Sequence, residues 1–292
     1  MLRQTTTKID GQDHYLTQAD SVKELTAAAF AVIEAGEKQT RSDHDNASFI
    51  GREFAGAKEA FEAATKPWDE GIKQVAELTA ELRRTVKLPK PVSLKRQKVW
   101  SIEDGDEIDF DRLRAGDAFY RTTKKQNAVK TKQVTIFIDC CAAARRNAKT
   151  LMWRGITAIT IARLLEDAGY RVAIIAYFSA HRGMQSGMGS TLTIKLKDMK
   201  DRLNIGTVAS AVSGWFFRTV RFEAYNLIEE DMPSYGLGQH NEEVDALLDL
   251  MEPNKEARLN INGVWDKEAA GELIGSVIKR LNAESENKLV TA

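Results

Sequence analysis

The chain has 292 residues, 43% hydrophobic and 29% charged, with 5 prolines, a composition that supports one large domain or two small ones and excludes a disordered, collagenous or disulfide-scaffold protein. Its 42 basic and 42 acidic residues cancel, so no global field directs it to nucleic acid or to an anionic membrane surface. No apolar run reaches the roughly 18 residues that span a bilayer, and the opening MLRQTTTKIDGQDHY lacks the apolar core of a signal peptide, so the sequence predicts a cytoplasmic protein with no membrane partner.

Residues 18–85 read as helices rich in Ala, Glu, Lys and Leu, with Ser21 and Glu24 spaced as a capping box and an apolar stripe through Leu25, Phe30 and Ile33. A polar break covers 36–46, and Pro67 then separates two further helices, where its fixed φ suits the first turn of the second. Residues 88–130 change texture, with LPKPVSLKRQKVW, the acidic loop EDGDEIDFD and the basic RTTKKQNAVKTK. The loop places Asp104 and Asp106 at calcium-loop spacing but then meets Ile108 and has neither the glycine nor the closing glutamate, so it is not an EF-hand.

From 133 the pattern is α/β. QVTIFID is a short β-branched run of the kind buried on both faces of a parallel sheet. A helix is expected over 147–167 with Gly169 beyond its end, then the strand RVAIIAYF, completing a right-handed βαβ unit. STLTIKLKD alternates Leu192, Ile194 and Leu196 with Thr and Lys, which predicts a half-exposed strand. Beyond it the pattern predicts a helix at 207–217, a strand at 219–227, a helix at 241–251, a strand at 258–264 and a helix at 266–281. The organisation expected is a helical N-terminal region over 1–87, a connector with short strands over 88–130, and an α/β domain with a doubly wound, mostly parallel sheet over 131–292.

Charge is uneven along this half: 131–232 holds 14 basic and 9 acidic residues, and 233–292 holds 6 and 11. The simplest reading lays the acidic tail near the basic middle; a polyanion site in the middle, shielded by the tail, is the second. Cys140 and Cys141 are the only cysteines, and neighbours on a strand point to opposite faces, so they do not bridge each other and read as buried structural thiols. Asp139 ends the first α/β strand, at the edge where open sheets bind ligands, and is either a functional carboxylate or a cap for the next helix. Arg145 and Arg146 precede that helix and could hold an anion at its amino end. His181 and Arg182 follow the second strand at the same edge. GWFFRTVRFEAY interleaves Trp215, Phe216, Phe217, Phe222 and Tyr225 with Arg218 and Arg221, a pattern suited to single-strand nucleic acid as a partner and more often found in cores. Nucleotide loops, the serine-hydrolase elbow and zinc spacings are absent.

The stretch VTIFIDCCAAARRNAKTLMWRGITAITIARLLEDAGYRVAIIAYFSA resembles the opening of a von Willebrand factor A domain: a strand ending in Asp, a small-residue loop, a long helix, then a strand after G-Y-R-V. The chain also resembles uncharacterised phage and bacterial proteins that join a helical region to an A-domain-like half, through SFIGREFAGAKEAFEAATKPWDEG, LTIKLKDMKDRLN and FRTVRFEAY. The resemblance implies a doubly wound sheet and a Mg²⁺ site beginning Asp-x-Ser-x-Ser, with Asp139 as the carboxylate and Thr207 as the family's threonine. The two serine positions are Cys141 and Ala143, poor ligands for a hard cation, so the metal site is expected to be degenerate and Mg²⁺ is disfavoured. The function expected is therefore a non-catalytic interaction or scaffolding protein with a protein partner, phage- or prophage-encoded. The alternatives are an enzyme acting on a phosphate-bearing substrate around Asp139, and a virion structural subunit.

Overall fold

The computed structural model describes residues 2–9, 11–35, 50–85, 98–102, 107–123, 132–143, 146–181, 189–228 and 244–290. Strands β1 (Arg3–Ile9) and β2 (Gln12–Ala19) form a hairpin, followed by helices α1 (Val22–Ala35), α2 (Ala57–Ala64) and α3 (Asp69–Thr85). A small unit of β3 (Lys98–Ser101), β4 (Glu107–Ile108), α4 (Phe110–Ala115) and β5 (Tyr120–Thr123) comes next. Then follow β6 (Gln133–Asp139), α5 (Ala148–Asp167), β7 (Arg171–His181), β8 (Gly189–Lys197), α6 (Ile205–Ala211), a π-helical segment Phe216–Arg221 and α7 (Phe222–Ile228). The described chain closes with α8 (Val244–Met251), β9 (Arg258–Ile261) and α9 (Lys267–Val290).

Six strands make one mixed, mostly parallel sheet in the order β1-β2-β8-β7-β6-β9. The β6–α5–β7 unit is parallel in register from Gln133 opposite Arg171 to Asp139 opposite Tyr177, and β9 adds parallel to β6. β8 returns antiparallel to β7, β2 lies parallel to β8, and β1 is antiparallel to β2. The α/β class expected from the sequence is therefore what the chain adopts.

Residues 3–9 and 12–19, expected within the helical N-terminal region, are instead this hairpin and extend the sheet of the C-terminal half. Their polar face, TTTKIDGQDHYLTQ, hides the strand signal because β1 is an exposed edge strand with little to bury. The expected Ser21 cap is present: the Glu24 N–H donates to Ser21 Oγ at 3.1 Å, and Glu24 Oε2 accepts from the Asp20 N–H at 2.6 Å.

One core runs along one face of the sheet, from Ala19 and Leu25 through Phe61 and Leu82 to Ile136, Ile174, Leu192, Trp215 and Ile274. Helix α5 fills its centre. Met152, Trp153, Ile156, Ile159, Ile161 and Leu165 are all buried around its circumference, as expected of a helix surrounded by protein on every side. It touches α3, α6 and α9 as well as β6, β7 and β9. Gly155 makes its approach to α6 feasible: a Cβ there would lie 2.3 Å from Val212 Cγ2. The opposite face is covered by α8, whose Val244 and Leu248 pack on Phe137 and Tyr177 while Leu247 meets Ile9 and Leu16.

Two local expectations are corrected. β8 is not half-exposed, because both its faces are covered, and two of its polar side chains are bonded there: His14 Nε2 lies 3.0 Å from Thr191 Oγ1, and Lys197 Nζ is 2.9 Å from Glu166 and donates to the Val172 carbonyl at 2.6 Å. The strand expected over 219–227 is helical, the π segment running into α7. Its apolar and aromatic residues are buried on every side, which erases the helical periodicity that would separate it from a strand. The acidic tail does lie against the basic middle, through α9 on α5 and β9 on β6, though Asp249 pairs within the tail, with Arg258 and Lys255.

Candidate functional site

β6 delivers Asp139 to the carboxyl edge of the sheet, and the chain turns there through Cys140 and Cys141. Asp139 Oδ1 accepts the Cys141 N–H at 2.7 Å, so the side chain folds this turn itself. The helix cap weighed for Asp139 is supplied by another residue: Asn147 Oδ1 accepts the Thr150 N–H at 2.8 Å.

The charge of Asp139 meets Arg154, which reaches back from α5. Arg154 Nη1 is 3.6 Å from Asp139 Oδ1, and both side chains are almost wholly buried. The same Nη1 donates to the Cys141 carbonyl at 2.7 Å and to the Asp139 carbonyl. The guanidinium carbon lies over Trp265, 3.7 Å from the ring centroid, and that of Arg146 lies over the same ring at 4.5 Å. A carboxylate taken out of water needs a compensating cation and hydrogen bonds. Here one guanidinium supplies the charge, clamps the turn and is itself held by a ring.

The neighbouring groups are held in their neutral forms. Burial pushes the Cys141 thiol up to about 12, with the Asp139 charge adding to the effect, and raises Cys140 further for the same first reason. Cys141 Sγ accepts the Ser179 N–H at 3.1 Å. Burial likewise raises Tyr177, whose hydroxyl donates to Asn260 Oδ1 at 3.2 Å. A second guanidinium, Arg221, is fully buried among the rings of Phe178, Phe217, Phe222 and Tyr225, and burial lowers its pKa from the usual arginine value.

Of the residues singled out in the sequence, Asp139 and Arg146 belong to this cluster, Arg146 as a stacked side chain whose carbonyl accepts from Arg218. His181 ends β7 at the same edge, opposite Gly189. Thr207 is placed elsewhere: β8 runs down to Lys197 beside Ile174 of β7, so α6 begins from the opposite edge, with the Thr207 N–H donating to Asn204 Oδ1 at 3.1 Å. Arg145, Arg182, and the Asp104 and Asp106 of the acidic loop lie outside the described residues. The rings of GWFFRTVRFEAY are core: Trp215, Phe216, Phe217 and Tyr225 are each at most 1% exposed.

Arg154 and Trp265 were missed. The signal for Arg154 is present in LMWRGITAITI, where it is the single charge in a run of mostly apolar residues, and a buried arginine must have a partner. Nothing near Trp265 in the sequence marks it. Among the described residues no three His, Cys, Asp or Glu side chains gather as a metal-binding group. The donor set at Asp139 does not fit the Mg²⁺ site that the A-domain resemblance implies, since its carboxylate is bound by a guanidinium and an N–H, beside a protonated thiol. No helix among the described residues is long and apolar enough to cross a membrane.

Residues 3–285 match the family described as a domain of unknown function (DUF7192), and the chain belongs to that family. No curated protein and no solved structure matches it.

Proposed function

We propose that this DUF7192 protein is a non-catalytic protein-interaction or scaffolding protein, an A-domain-like α/β fold whose strand-end carboxylate is neutralised from within. The observation that carries this reading is the buried Asp139–Arg154 pair. The parallel β6–α5–β7 unit with Asp139 at its carboxyl end supports the A-domain likeness. At that position the likeness implies a hard cation with hydroxyl ligands, and the chain supplies instead a permanent organic cation that cannot exchange with solvent ions and carries no open coordination position. A carboxylate whose Oδ1 is held by the Cys141 N–H and faces the Arg154 guanidinium is committed to folding the turn, which argues against its use as the base of an enzyme.

The small β3–β5 unit supports the interaction half of the reading. Ile102 and Phe110 are 69% and 66% exposed, with Ile108 and Leu113 also exposed nearby in the chain. Asp109 caps α4 by accepting from the Asp111 and Arg112 N–H groups, and Arg112 stacks on Trp100 at 4.3 Å, so this unit is ordered while its apolar side chains remain uncovered. Large apolar side chains exposed within one short stretch of chain support a contact site for another protein.

The experiment is affinity purification of the tagged protein from the cells that make it, in EDTA and in Mg²⁺, beside an Ile102→Asp/Phe110→Asp variant. The reading predicts a protein recovered in stoichiometric amount under both conditions and lost with the variant. Recovery that requires Mg²⁺, or that survives the variant unchanged, counts against it.

A further inference from the structure

A cavity of about 370 Å³ opens where α3, the amino end of α5 and the turn at 213–215 meet. Its size falls in the range of small-ligand sites, and its walls are fixed by backbone contacts. A Cβ on Gly214 would lie 2.8 Å from Ala148 Cβ and 3.0 Å from the Ile50 carbonyl, so three remote segments touch at the floor. Trp68 lies so flat over Gly71 that a Cβ there would be 2.0 Å from the ring, and it meets Trp215 edge-on at 5.7 Å. Ile50, Leu78 and Met152 complete an apolar lining.

The polar groups are sorted by wall. Glu77 and Glu81 line the α3 side; Glu81 is 3.5 Å from Lys267, whereas Glu77 has no ion-pair partner among the described residues. The other side is the start of α5, with Ala148 and Lys149 in the lining. This helix of 20 residues has no acidic residue in its first turn, and its cap Asn147 accepts the N–H and the hydroxyl of Thr150 and, among the described residues, no other backbone N–H. Its amino end therefore presents uncompensated positive dipole together with the Lys149 ammonium. Trp215, which lines the cavity and is 1% exposed, carries an indole N–H with no acceptor among the described residues, and a buried donor of this kind calls for one.

We propose that this cavity binds a small zwitterion of amino-acid type. Its ammonium sits against Glu77 and Glu81, its carboxylate against Lys149 and the amino end of α5, and its apolar body between Trp68, Leu78 and Met152. An amine alone leaves the α5 wall unmatched, and a carboxylate alone leaves Glu77 unmatched, so neither half satisfies the site. The Asp139 cluster plays no part in this binding.

The test is a thermal-shift and intrinsic-tryptophan-fluorescence titration of the full chain with the twenty L-amino acids. The amine and the carboxylate analogue of the best ligand are titrated beside it. At least one amino acid is expected to raise the melting temperature saturably and change tryptophan emission, binding about tenfold or more tightly than either analogue. Glu77→Gln and Lys149→Met, both at exposed positions, are expected to keep the ligand-free melting temperature and each weaken binding about tenfold. No saturable response from any amino acid overturns the proposal, as does an analogue binding as well as the amino acid, or both variants binding as the wild type does.

Discussion

At the scale of single residues one guanidinium holds the end of β6 together. Arg154 compensates Asp139, holds two carbonyls and stacks on Trp265. Removing it as Arg154→Met leaves a buried carboxylate without a cation, a loss of about 3–5 kcal/mol. The double variant Asp139→Asn/Arg154→Met removes both charges and is expected to recover part of that loss in urea unfolding, giving a coupling energy well above the 0.2–1 kcal/mol typical of exposed pairs. Equal losses in the single and double variants would mean the pair is not coupled. Cys141 adds a pH dependence. Its thiol is raised to about 12 in the folded chain, against roughly 8.5 when unfolded. The folded state then holds the proton more tightly, so the stabilisation is complete below about pH 8.5 and is lost as pH rises from there towards 12. Native protein at pH 8 should accordingly resist a thiol-labelling reagent at both cysteines and label fully in denaturant. Asp139 was legible in the sequence because a carboxylate ending a buried strand is conspicuous. Its partner lies 15 positions on, in a helix with a second arginine at 163 and an apolar pattern that does not single Arg154 out.

Elements follow the same logic of burial. The helices at 22–35, 57–64 and 69–85 and the βαβ unit were readable because capping residues, Pro67 and β-branched runs report local structure directly. The π segment was not, since Phe216 to Arg221 is buried on every side and carries no amphipathic period. The hairpin at the start was missed for the opposite reason, its outer strand burying little beyond Ile9. Gly155 shows how tertiary contact overrides propensity. Replacing it with Ala gains about 1 kcal/mol of helix propensity, but the new Cβ falls 2.3 Å from Val212 Cγ2. Val is stiff at χ1 and cannot swing aside, and overpacking typically costs about 1–3 kcal/mol. Gly155→Ala is therefore expected to lower stability, and Gly155→Ala/Val212→Ala to be less destabilised than the sum of its parts. A stabilised single variant would show that α5 and α6 stand further apart than described.

Across the whole molecule, the N-terminal helices and the α/β half share one core. Ala19, Leu25 and Phe61 belong to the same apolar cluster as Ile136 and Ile274, and β2 pairs with β8. A fragment of residues 131–292 would expose that cluster and the edge of β8, so it is expected to aggregate or stay unfolded, while the full chain unfolds in one calorimetric transition with matching van't Hoff enthalpy. Two separated transitions would show independent halves. The strand order of such a sheet, with its first strands drawn from the far end of the chain, leaves no trace in local patterning, which is why the fold class was legible and this pairing was not. Arg154 already neutralises Asp139 at the end of β6, which leaves a divalent cation no charge to satisfy there. Thermal unfolding of the wild type and of Asp139→Ala across a titration of Mg²⁺, Mn²⁺ and Ca²⁺ tests this. No melting-temperature shift specific to the wild type is expected with any of the three ions. A saturable, concentration-dependent rise in the wild type that disappears in Asp139→Ala would contradict it.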